Sequence, residues 1–299
     1  MNYNKQKVLL TGGSGFIGKN IKESYLSEKY NLIVPSHKEL DLLDEKAVSD
    51  FFNYNQFDVV IHGACRPAHR NALKPELAFY ENMIMYYNII KNEKKFKKML
   101  VLGSGAVYDM RHYKPKMDED YYGTFIPIDQ HGFSRYLIYR DIENRKNIID
   151  LRIFGIFGKY EDYSIRFISN MICKSIFDLP LTIKQNRKFD YIWIDDFIKI
   201  LDIFIERDDF KYKSYNITPD NSVELVDLAK IVLKISNKNL PIIVKNDEMG
   251  LEYSGDNSRL KKEIGKFSFT KFEDSIEKLY NWYLRIKNDI NKEFLLADK

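Results

Sequence analysis

Two side chains in the segment QHGFSRYLIYR, residues 130 to 140, have the types and spacing of a catalytic pair. The segment has helical spacing, and in a helix His131 and Arg135 lie on one face. Imidazole titrates near about 6.5, so His131 can transfer a proton at cytoplasmic pH. Arg135 can hold hydroxyl groups with its fixed donor fork but cannot release a proton. Its charge would lower the pKa of His131 and favour the neutral form, an effect that a nearby acid such as Asp129 could offset.

Four glycines follow the first predicted strand, KVLLT, at residues 7–11. Gly12, Gly13, Gly15 and Gly18 fit both G-x-x-G-x-x-G and G-x-G-x-x-G, and helical spacing begins within them. Glycine permits a tight turn and lets the backbone approach a pyrophosphate, while the helix N-terminus offers free N–H groups and a positive dipole end. A plain turn needs one glycine, so the segment predicts dinucleotide binding.

The end of the second strand bears on which dinucleotide binds. An NAD-binding chain places an acid there for the ribose 2′-hydroxyl. Here the strand ends in VPSHKELDLLD, so Ser36, His37 and Lys38 occupy that place. Polar and basic groups suit a 2′-phosphate, which favours NADP(H). Glu39 follows one residue later, so a shift of the loop leaves NAD(H) possible.

Strands alternate with helices up to residue 158, which predicts an α/β fold with a doubly wound parallel sheet. Beyond that point the alternation loosens, and we expect a smaller C-terminal α/β lobe over the edge where the strands end. Within it, SVELVDLAKIVLKIS predicts a helix capped by Ser222. The predicted division is a dinucleotide-binding domain, 1–158 plus 189–218, and a substrate lobe, 159–188 plus 219–299.

Composition excludes several classes of protein. Lys and Arg number 47 against 43 Asp and Glu, a small and dispersed excess that does not form a nucleic-acid-binding face. The two cysteines, Cys65 and Cys173, have no metal-ligand spacing, so we expect neither a metal site nor a disulfide. No apolar run reaches about 18 residues, so we expect no membrane span. The start, MNYNKQKVLLTGG, does not fit a signal peptide, and we expect a cytoplasmic protein.

The segment TGGSGFIG at 11–18 resembles the start of the extended short-chain dehydrogenases/reductases. This is the family of NAD(P)-dependent nucleotide-sugar epimerases, dehydratases and reductases. Further segments match it in order along nearly the whole chain: HKELDLLDEKAVSDFF, VVIHGA, ENMIMYYNII, LGSGAVY, HGFSR, LRIFGIFG, FDYIWIDDF, DNSRLKKEIG and FEDSIEKLYNWY. ELDLLD and LGSGAVY most resemble GDP-fucose synthase and related 4-keto-sugar reductases.

The resemblance implies a Rossmann domain with a C-terminal substrate lobe and a nucleotide-diphosphate sugar in the cleft between them. It implies hydride exchange between the nicotinamide and a sugar carbon, in the service of polysaccharide biosynthesis. It also implies a homodimer through a four-helix interface, built here from the helices that start near Asn82 and His131.

Matching the family residue by residue gives further candidate site positions. Ser104 corresponds to the serine or threonine that hydrogen-bonds the reacting oxygen. Arg66 lies on a loop that touches substrate in the family, although it can equally be solvated. Tyr108 is the nearest spare phenol and a candidate substrate contact, with packing as its alternative role. The implied cofactor contacts are Gly12, Gly15, Phe16, Ile17, Gly18, Asp41, Leu42, Ala64 and Arg135.

The chain departs from the family at the catalytic pair. The family has a tyrosine and a lysine four residues apart in Y-G-x-S-K, where this chain has His131 and Arg135. The family asparagine and arginine on the substrate side are replaced by Gly155 and Phe189. The pair can be a relic of a lost site, but its register with Ser104 favours a modified working site.

Three hypotheses follow. The first is NADP(H)-dependent reduction of a nucleotide-diphosphate-linked 4-keto sugar, in which Ser104 and His131 stabilise and protonate the oxygen and Arg135 positions the cofactor. Arg166 and Arg187 would then meet the substrate diphosphate with bidentate, charge-assisted hydrogen bonds. The second is an NAD-dependent 4-epimerase or dehydrogenase in which neutral His131 is the base. The third is a catalytically silent sensor of dinucleotide or nucleotide sugar.

Overall fold

A computed structural model describes residues 5–69 and 72–296. The strands are β1 Lys7–Thr11, β2 Asn31–Ile33, β3 Phe57–His62, β4 Phe96–Ser104, β5 Ile148–Ile153, β6 Gly155–Phe157, β7 Leu181–Gln185, β8 Lys188–Phe189, β9 Tyr191–Trp193, β10 Ser214–Ile217, β11 Val223–Glu224 and β12 Ile242–Asn246. The α-helices are α1 Phe16–Glu23, α2 Leu26–Lys29, α3 Glu45–Asn53, α4 Ala78–Ile90, α5 Gln130–Ile142, α6 Phe167–Ile176, α7 Ile194–Glu206, α8 Leu225–Ser236, α9 Ser258–Ile264, α10 Phe272–Arg285 and α11 Glu293–Leu296.

The central sheet has six strands in the order β10-β5-β4-β3-β1-β2, and every neighbouring pair is parallel. Its carboxyl edge is therefore formed by consecutive strand ends. Thr11 of β1 is in register with His62 of β3, and Ser104 of β4 is in register with Ile153 of β5. The strand order reverses beside β1, and ligands of open α/β sheets bind at that edge.

Helices cover both faces of the sheet because successive strand residues point to opposite sides. Val8 and Leu10 of β1 belong to one hydrophobic cluster, which includes residues of α1, α6, α7, α8 and α10. Leu9 between them belongs to a second cluster with residues of α3, α4 and α5. The predicted doubly wound α/β fold is confirmed.

The C-terminal region adds small sheets around the same edge. Strands β7 and β12 pair in parallel, β8 and β11 pair antiparallel, and β6 pairs in parallel with β9. The sequence patterns did not predict β12. The predicted cap of α8 is wrong, because Ser222 Oγ donates to Glu252 Oε1 at 3.1 Å and Glu224 occupies the N-cap. Within residues 5–69 and 72–296, no helix is long and apolar enough to cross a membrane.

Candidate active site

The glycine loop between β1 and α1 is too tight for side chains. Gly12 has φ +77°, and a Cβ there would lie 2.6 Å from the backbone nitrogen of Ala64. A Cβ on Gly18 would lie 2.3 Å from the carbonyl oxygen of Gly12. Gly15 is the N-cap of α1, and no side chain caps the N–H groups of the first turn. A loop of bare backbone at an uncapped helix N-terminus fits the pyrophosphate of a dinucleotide.

A cleft of about 1270 Å³ opens beside this loop at the carboxyl edge of the sheet. Its volume exceeds the roughly 300–1,000 Å³ of a usual small-ligand pocket, so it can take a cofactor together with a substrate. The cleft brings together seven of the predicted site residues: Gly15, Phe16, Ile17, Ser104, His131, Arg135 and Arg166.

Direct packing between two elements positions Ser104 and His131. Ser104 ends β4, and its Oγ accepts a hydrogen bond of 3.1 Å from the backbone N–H of Ala106. The start of α5 lies against this turn, since a Cβ on Gly132 would be 2.6 Å from the carbonyl oxygen of Ala106. The Asp129 carboxylate caps α5 by accepting from the backbone N–H of Gly132 at 2.8 Å.

The imidazole of His131 is uncharged at neutral pH. Burial lowers its pKa to about 3, and the charges of Arg135 and Arg166 contribute. Its Nδ1 is enclosed without a hydrogen-bond partner. The expected lowering of the His131 pKa by Arg135 is confirmed, and the expectation that His131 titrates near cytoplasmic pH is wrong. The Asp129 carboxylate accepts the capping hydrogen bond of α5. A neutral imidazole donates a hydrogen bond from one ring nitrogen and accepts a hydrogen bond or a proton at the other.

Arg135 is buried, with 7% of its surface exposed, and its Nε has no hydrogen-bond partner. The pKa of His62, like that of His131, is lowered to about 3 by burial and by the Arg135 charge. The Nδ1 of His62 lies 3.0 Å from Thr11 Oγ1 at the end of β1. Burial raises the pKa of the Asp150 carboxyl and the Arg135 charge opposes this rise, while the Nε donor of Arg135 is left without a partner in the protein.

The predicted adenine-side residues lie on the turn after β2, outside the cleft lining. The side chains of His37 and Asp41 approach to 3.7 Å, and Leu42 is buried. The carboxylate of Glu39 accepts a hydrogen bond of 2.7 Å from the backbone N–H of Ser36, which lowers the pKa of this carboxyl. Ser36, His37 and Lys38 are exposed at this turn, so both the basic group and the acid are available to a ribose.

Two of the predicted substrate arginines lie in different places. Arg166 lines the cleft, and Arg187 lines an adjoining cavity of about 420 Å³ that shares Ile165 and Phe167 with it. Arg66 lies outside the cleft lining, because its guanidinium pairs with Glu81 at 3.2 Å and donates to the Leu73 carbonyl.

The predicted substrate contact of Tyr108 is wrong. Its side chain is 1% exposed and lies behind the cleft, where the hydroxyl donates to Asn216 Oδ1 and accepts from Arg152, both at 2.8 Å. Packing, the alternative role, is the one that the structure shows.

Several ionisable groups that line the cleft were missed by sequence reasoning, among them Glu161 and Tyr253. Burial raises the pKa of Glu161 to about 8, and Ser169 Oγ donates to its carboxylate at 2.6 Å. Tyr253 is 6% exposed, and its hydroxyl lies beside Gly105, where an added Cβ would come within 2.4 Å of the phenolic oxygen. No motif marked either residue. Among the residues that the structure describes, no group of three or more His, Cys, Asp or Glu side chains could hold a metal ion.

Comparison with known proteins identifies the family. The model of the NAD dependent epimerase/dehydratase family matches residues 8–218. The chain belongs to this family. GDP-L-colitose synthase from Yersinia pseudotuberculosis is 26% identical, over 95% of this chain and 99% of that protein.

Two solved structures share the fold at low sequence identity. One is a GDP-mannoheptose C4 reductase from Campylobacter jejuni with NADP bound, with a TM-score of 0.80 and 20% identity over 95% of this chain and 100% of that one. The other is a UDP-glucose 4-epimerase from Thermotoga maritima, with a TM-score of 0.80 and 17% identity over 94% and 99%. The predicted family is confirmed, and with it the predicted class of NAD(P)-dependent oxidoreductase.

Proposed function

We propose that this protein reduces the 4-keto group of a nucleotide-diphosphate-linked sugar with NADPH. The observation that carries the proposal is the shared cleft, where a dinucleotide loop, Ser104 and the buried cation of Arg135 meet. Two relatives support this reaction within the family, since one is a GDP-L-colitose synthase and another a GDP-mannoheptose C4 reductase.

The residues divide the work by their chemistry. The loop of Gly12, Gly15 and Gly18 and the first turn of α1 hold the pyrophosphate, and a bound nicotinamide supplies the hydride. The hydroxyl of Ser104 donates a hydrogen bond to the oxygen of the sugar carbonyl. This hydrogen bond becomes stronger as negative charge develops on that oxygen in the transition state. The guanidinium of Arg135 holds the nicotinamide ribose. Its Nε–H donor has no hydrogen-bond partner within the protein and is therefore free to donate to a ribose hydroxyl.

The substrate diphosphate lies toward the C-terminal region in this proposal. Arg166 lines the cleft and Arg187 lines the neighbouring cavity, and the two cavities share the side chains of Phe189 and Tyr191. Charge-assisted hydrogen bonds to phosphate oxygens are the interactions for which guanidinium is suited.

A substrate panel tests the proposed reaction. The absorbance of reduced cofactor is followed with GDP-, CDP-, UDP- and dTDP-linked 4-keto sugars. We expect stoichiometric oxidation of NADPH with at least one sugar, and Ser104→Ala should lower kcat by about 100-fold or more. Ser27→Ala is the matched control, since Ser27 is an exposed residue of α2 that hydrogen-bonds the carbonyl of Ser24.

A second candidate function is that of a 4-epimerase with tightly held NAD. It is favoured by the neutral state of His131, which suits a base, and by the similar fold of a UDP-glucose 4-epimerase. Two outcomes of the substrate panel would contradict a reductase. Purified protein that carries oxidised cofactor and interconverts 4-epimers without net NADPH oxidation would establish that function. Tight cofactor binding without turnover of any substrate would indicate the silent sensor.

We also propose a homodimer through α4 and α5. These helices lie side by side, with Phe79 of α4 stacked on Phe133 of α5 at 5.2 Å between ring centroids. Tyr80 and Tyr87 remain exposed on α4 at 63% and 38%, as expected of a surface that a second copy covers. Light scattering should give twice the chain mass, and Tyr80→Glu should give monomers.

A further inference from the structure

One side of the cleft is built from aromatic side chains. Four rings line it as a contiguous surface, which we call the aromatic wall: Phe154, Tyr253, Phe189 and Tyr191. The ring centroid of Tyr253 lies 4.8 Å from that of Phe154 and 4.7 Å from that of Phe189. Phe189 stacks in turn on Tyr191, with 4.7 Å between the centroids. Phe189 is half-buried and therefore presents part of its ring to the cleft.

Main-chain hydrogen bonds hold the three segments of the aromatic wall together. The backbone N–H of Gly155 donates to the carbonyl of Asp190 at 2.9 Å. The N–H of Asp190 donates to the carbonyl of Tyr253 at 3.1 Å, and the N–H of Tyr253 donates to the carbonyl of Lys188 at 3.0 Å. The rings keep fixed positions because both the backbone that carries them and the packing between them are fixed.

Three glycines leave room for these rings. A Cβ added to Gly155 would lie 2.8 Å from a ring carbon of Phe189. A Cβ on Gly105 would lie 2.9 Å from the ring of Phe154, and one on Gly255 would lie 2.6 Å from the same ring. These distances are too short for a real side chain, so the aromatic wall excludes any larger residue at the three positions.

The aromatic wall lies between the proposed reacting group and the proposed phosphate site. At one end the Tyr253 hydroxyl lies beside Gly105, the residue after Ser104, where an added Cβ would come within 2.4 Å of it. Further along, Phe189 also lines the second cavity, together with Arg187. A sugar whose C4 carbonyl meets Ser104 and whose diphosphate extends toward Arg187 must therefore lie along the aromatic wall.

The Phe189 ring offers neither a donor nor an acceptor to a sugar hydroxyl. A hydroxyl that faces aromatic carbon loses its hydrogen bonds to water and gains none in return. A C–H or a methyl group in the same place gains apolar contact. The aromatic wall therefore favours a sugar that carries hydrogen or methyl where it meets the rings.

We propose that Phe189 is the sugar-specificity residue of this site, and that the aromatic wall selects a sugar lacking a hydroxyl group on the side that faces it. C3 and C5 are the ring neighbours of the reacting C4, so the selected substrates are deoxygenated at C3 or at C6, the carbon attached to C5. The arginine of the family pattern at this position would offer donors, whereas Phe189 offers none.

The inference rests on the proposed reductase function, and three substrates test it. A 4-keto hexose, its 6-deoxy form and its 3,6-dideoxy form are compared on the nucleotide that the panel identifies. We expect kcat/KM to be about 10- to 100-fold higher for at least one deoxy form, because an apolar pocket disfavours an added hydroxyl by that order. An equal or higher kcat/KM for the fully hydroxylated sugar would overturn the proposal and leave the reductase intact.

Substitution of Phe189 tests whether this ring provides the selectivity. Phe189→Asn introduces a donor and an acceptor, so the preference for the deoxy form should disappear, whereas Phe189→Leu keeps an apolar surface and should keep the preference. Phe51→Asn is the matched control, because Phe51 is a half-buried ring stacked on Phe57 at 5.9 Å and lies outside the cleft. Wild-type selectivity in Phe189→Asn would overturn the role of Phe189.

A binding measurement covers the case in which no 4-keto sugar oxidises NADPH and the reductase fails. Calorimetry then gives the Kd of GDP- and UDP-linked hexoses and of their 3-deoxy and 6-deoxy forms. Binding of a deoxy form that is about 10-fold tighter supports the aromatic wall without any turnover. Equal Kd values within every pair overturn it. Both comparisons use wild-type protein and stand even where Phe189→Asn does not fold.

Discussion

Two buried arginines near the same sheet edge have opposite surroundings. Arg152 is 0% exposed, and its guanidinium donates to Asp150 at 3.1 Å and to the Tyr108 hydroxyl at 2.8 Å. It also lies over the Tyr139 ring, 4.1 Å from the centroid. Arg135 is 7% exposed, its Nε has no hydrogen-bond partner, and it acts on the Asp150 carboxyl only through space, while its neighbouring imidazoles are neutral. Arg152 also has one nitrogen, Nη2, without a partner, so the two differ in how many partners they have.

The difference separates a cation that serves the fold from one that serves a ligand. The protein compensates the charge of Arg152 with a carboxylate, a hydroxyl and an aromatic face. It buries Arg135 at a cost that a bound anion or ribose can offset. Burial of a charge therefore does not identify a binding residue, whereas a buried cation that lines the cleft and makes few hydrogen bonds within the protein is a candidate for one.

The largest effect is expected at Arg152. Arg152→Met leaves Asp150 and the Tyr108 hydroxyl buried without their cation, which should lower the free energy of unfolding by about 3–5 kcal/mol. Urea denaturation measures it. Arg140→Met is the control, since Arg140 pairs with Glu143 at the surface and should cost about 1 kcal/mol or less. Equal losses in the two variants would contradict the structural role of Arg152.

Replacement of Arg135 should weaken cofactor binding and leave the stability of the fold nearly unchanged. Arg135→Met removes charge-assisted hydrogen bonds worth about 1.5–3 kcal/mol each, so the Kd for NADPH should rise about 10- to 100-fold. The free energy of unfolding should stay within about 1 kcal/mol of wild type. Fluorescence titration and urea denaturation give the two numbers. If Arg135→Met instead lowered the free energy of unfolding and left the Kd for NADPH unchanged, Arg135 would have the same structural role as Arg152.

The sequence could predict those parts of the site that local patterns and the family register determine. The glycine loop and the β4–α5 arrangement bring Ser104, His131 and Arg135 to one cleft, as the alternation of strands and helices implies. The N-cap role of Asp129 was not predicted, although aspartate before a helical segment is a common cap.

Other features depend on burial and on long-range pairing, which periodicity does not report. The protonation of His131 follows from its enclosure, and the role of Arg152 follows from partners in three separate segments. Tyr253 reaches the cleft because its segment pairs with β8, and nothing distinguishes it among 21 tyrosines. The division of the chain into two lobes at the predicted boundaries stays a prediction.

The cleft also contains a buried acid, Glu161, whose protonation should make stability depend on pH. Its pKa is raised to about 8, so the folded state keeps a proton that the unfolded chain releases near pH 4.5. Stability from this group is therefore lost as pH rises through that interval, by about 1 kcal/mol between about pH 6 and pH 7. Glu161→Gln should remove this part of the slope in urea denaturation. A slope that is unchanged in the variant would show that the carboxyl is ionised when folded.

The smallest effect is expected at the exposed turn after β2. Lys38→Ala should raise the KM for NADPH a few-fold and leave that for NADH unchanged, since an exposed charge contributes about 1 kcal/mol or less. Initial rates with both cofactors measure it. Lys46→Ala on α3 is the control, because Lys46 pairs with Asp50 away from the turn. Equal changes for NADPH and NADH would show that Lys38 does not contact a 2′-phosphate.

The most direct test follows the hydride itself. The protein is incubated with NADPH deuterated at the nicotinamide C4 and a GDP-linked 4-keto-6-deoxy sugar, and the product is examined by NMR and mass spectrometry. Reduction at the cleft predicts one deuterium at C4 of the sugar for each NADPH oxidised. A reduced sugar without deuterium at C4, or unreacted 4-keto sugar beside bound cofactor, would contradict it.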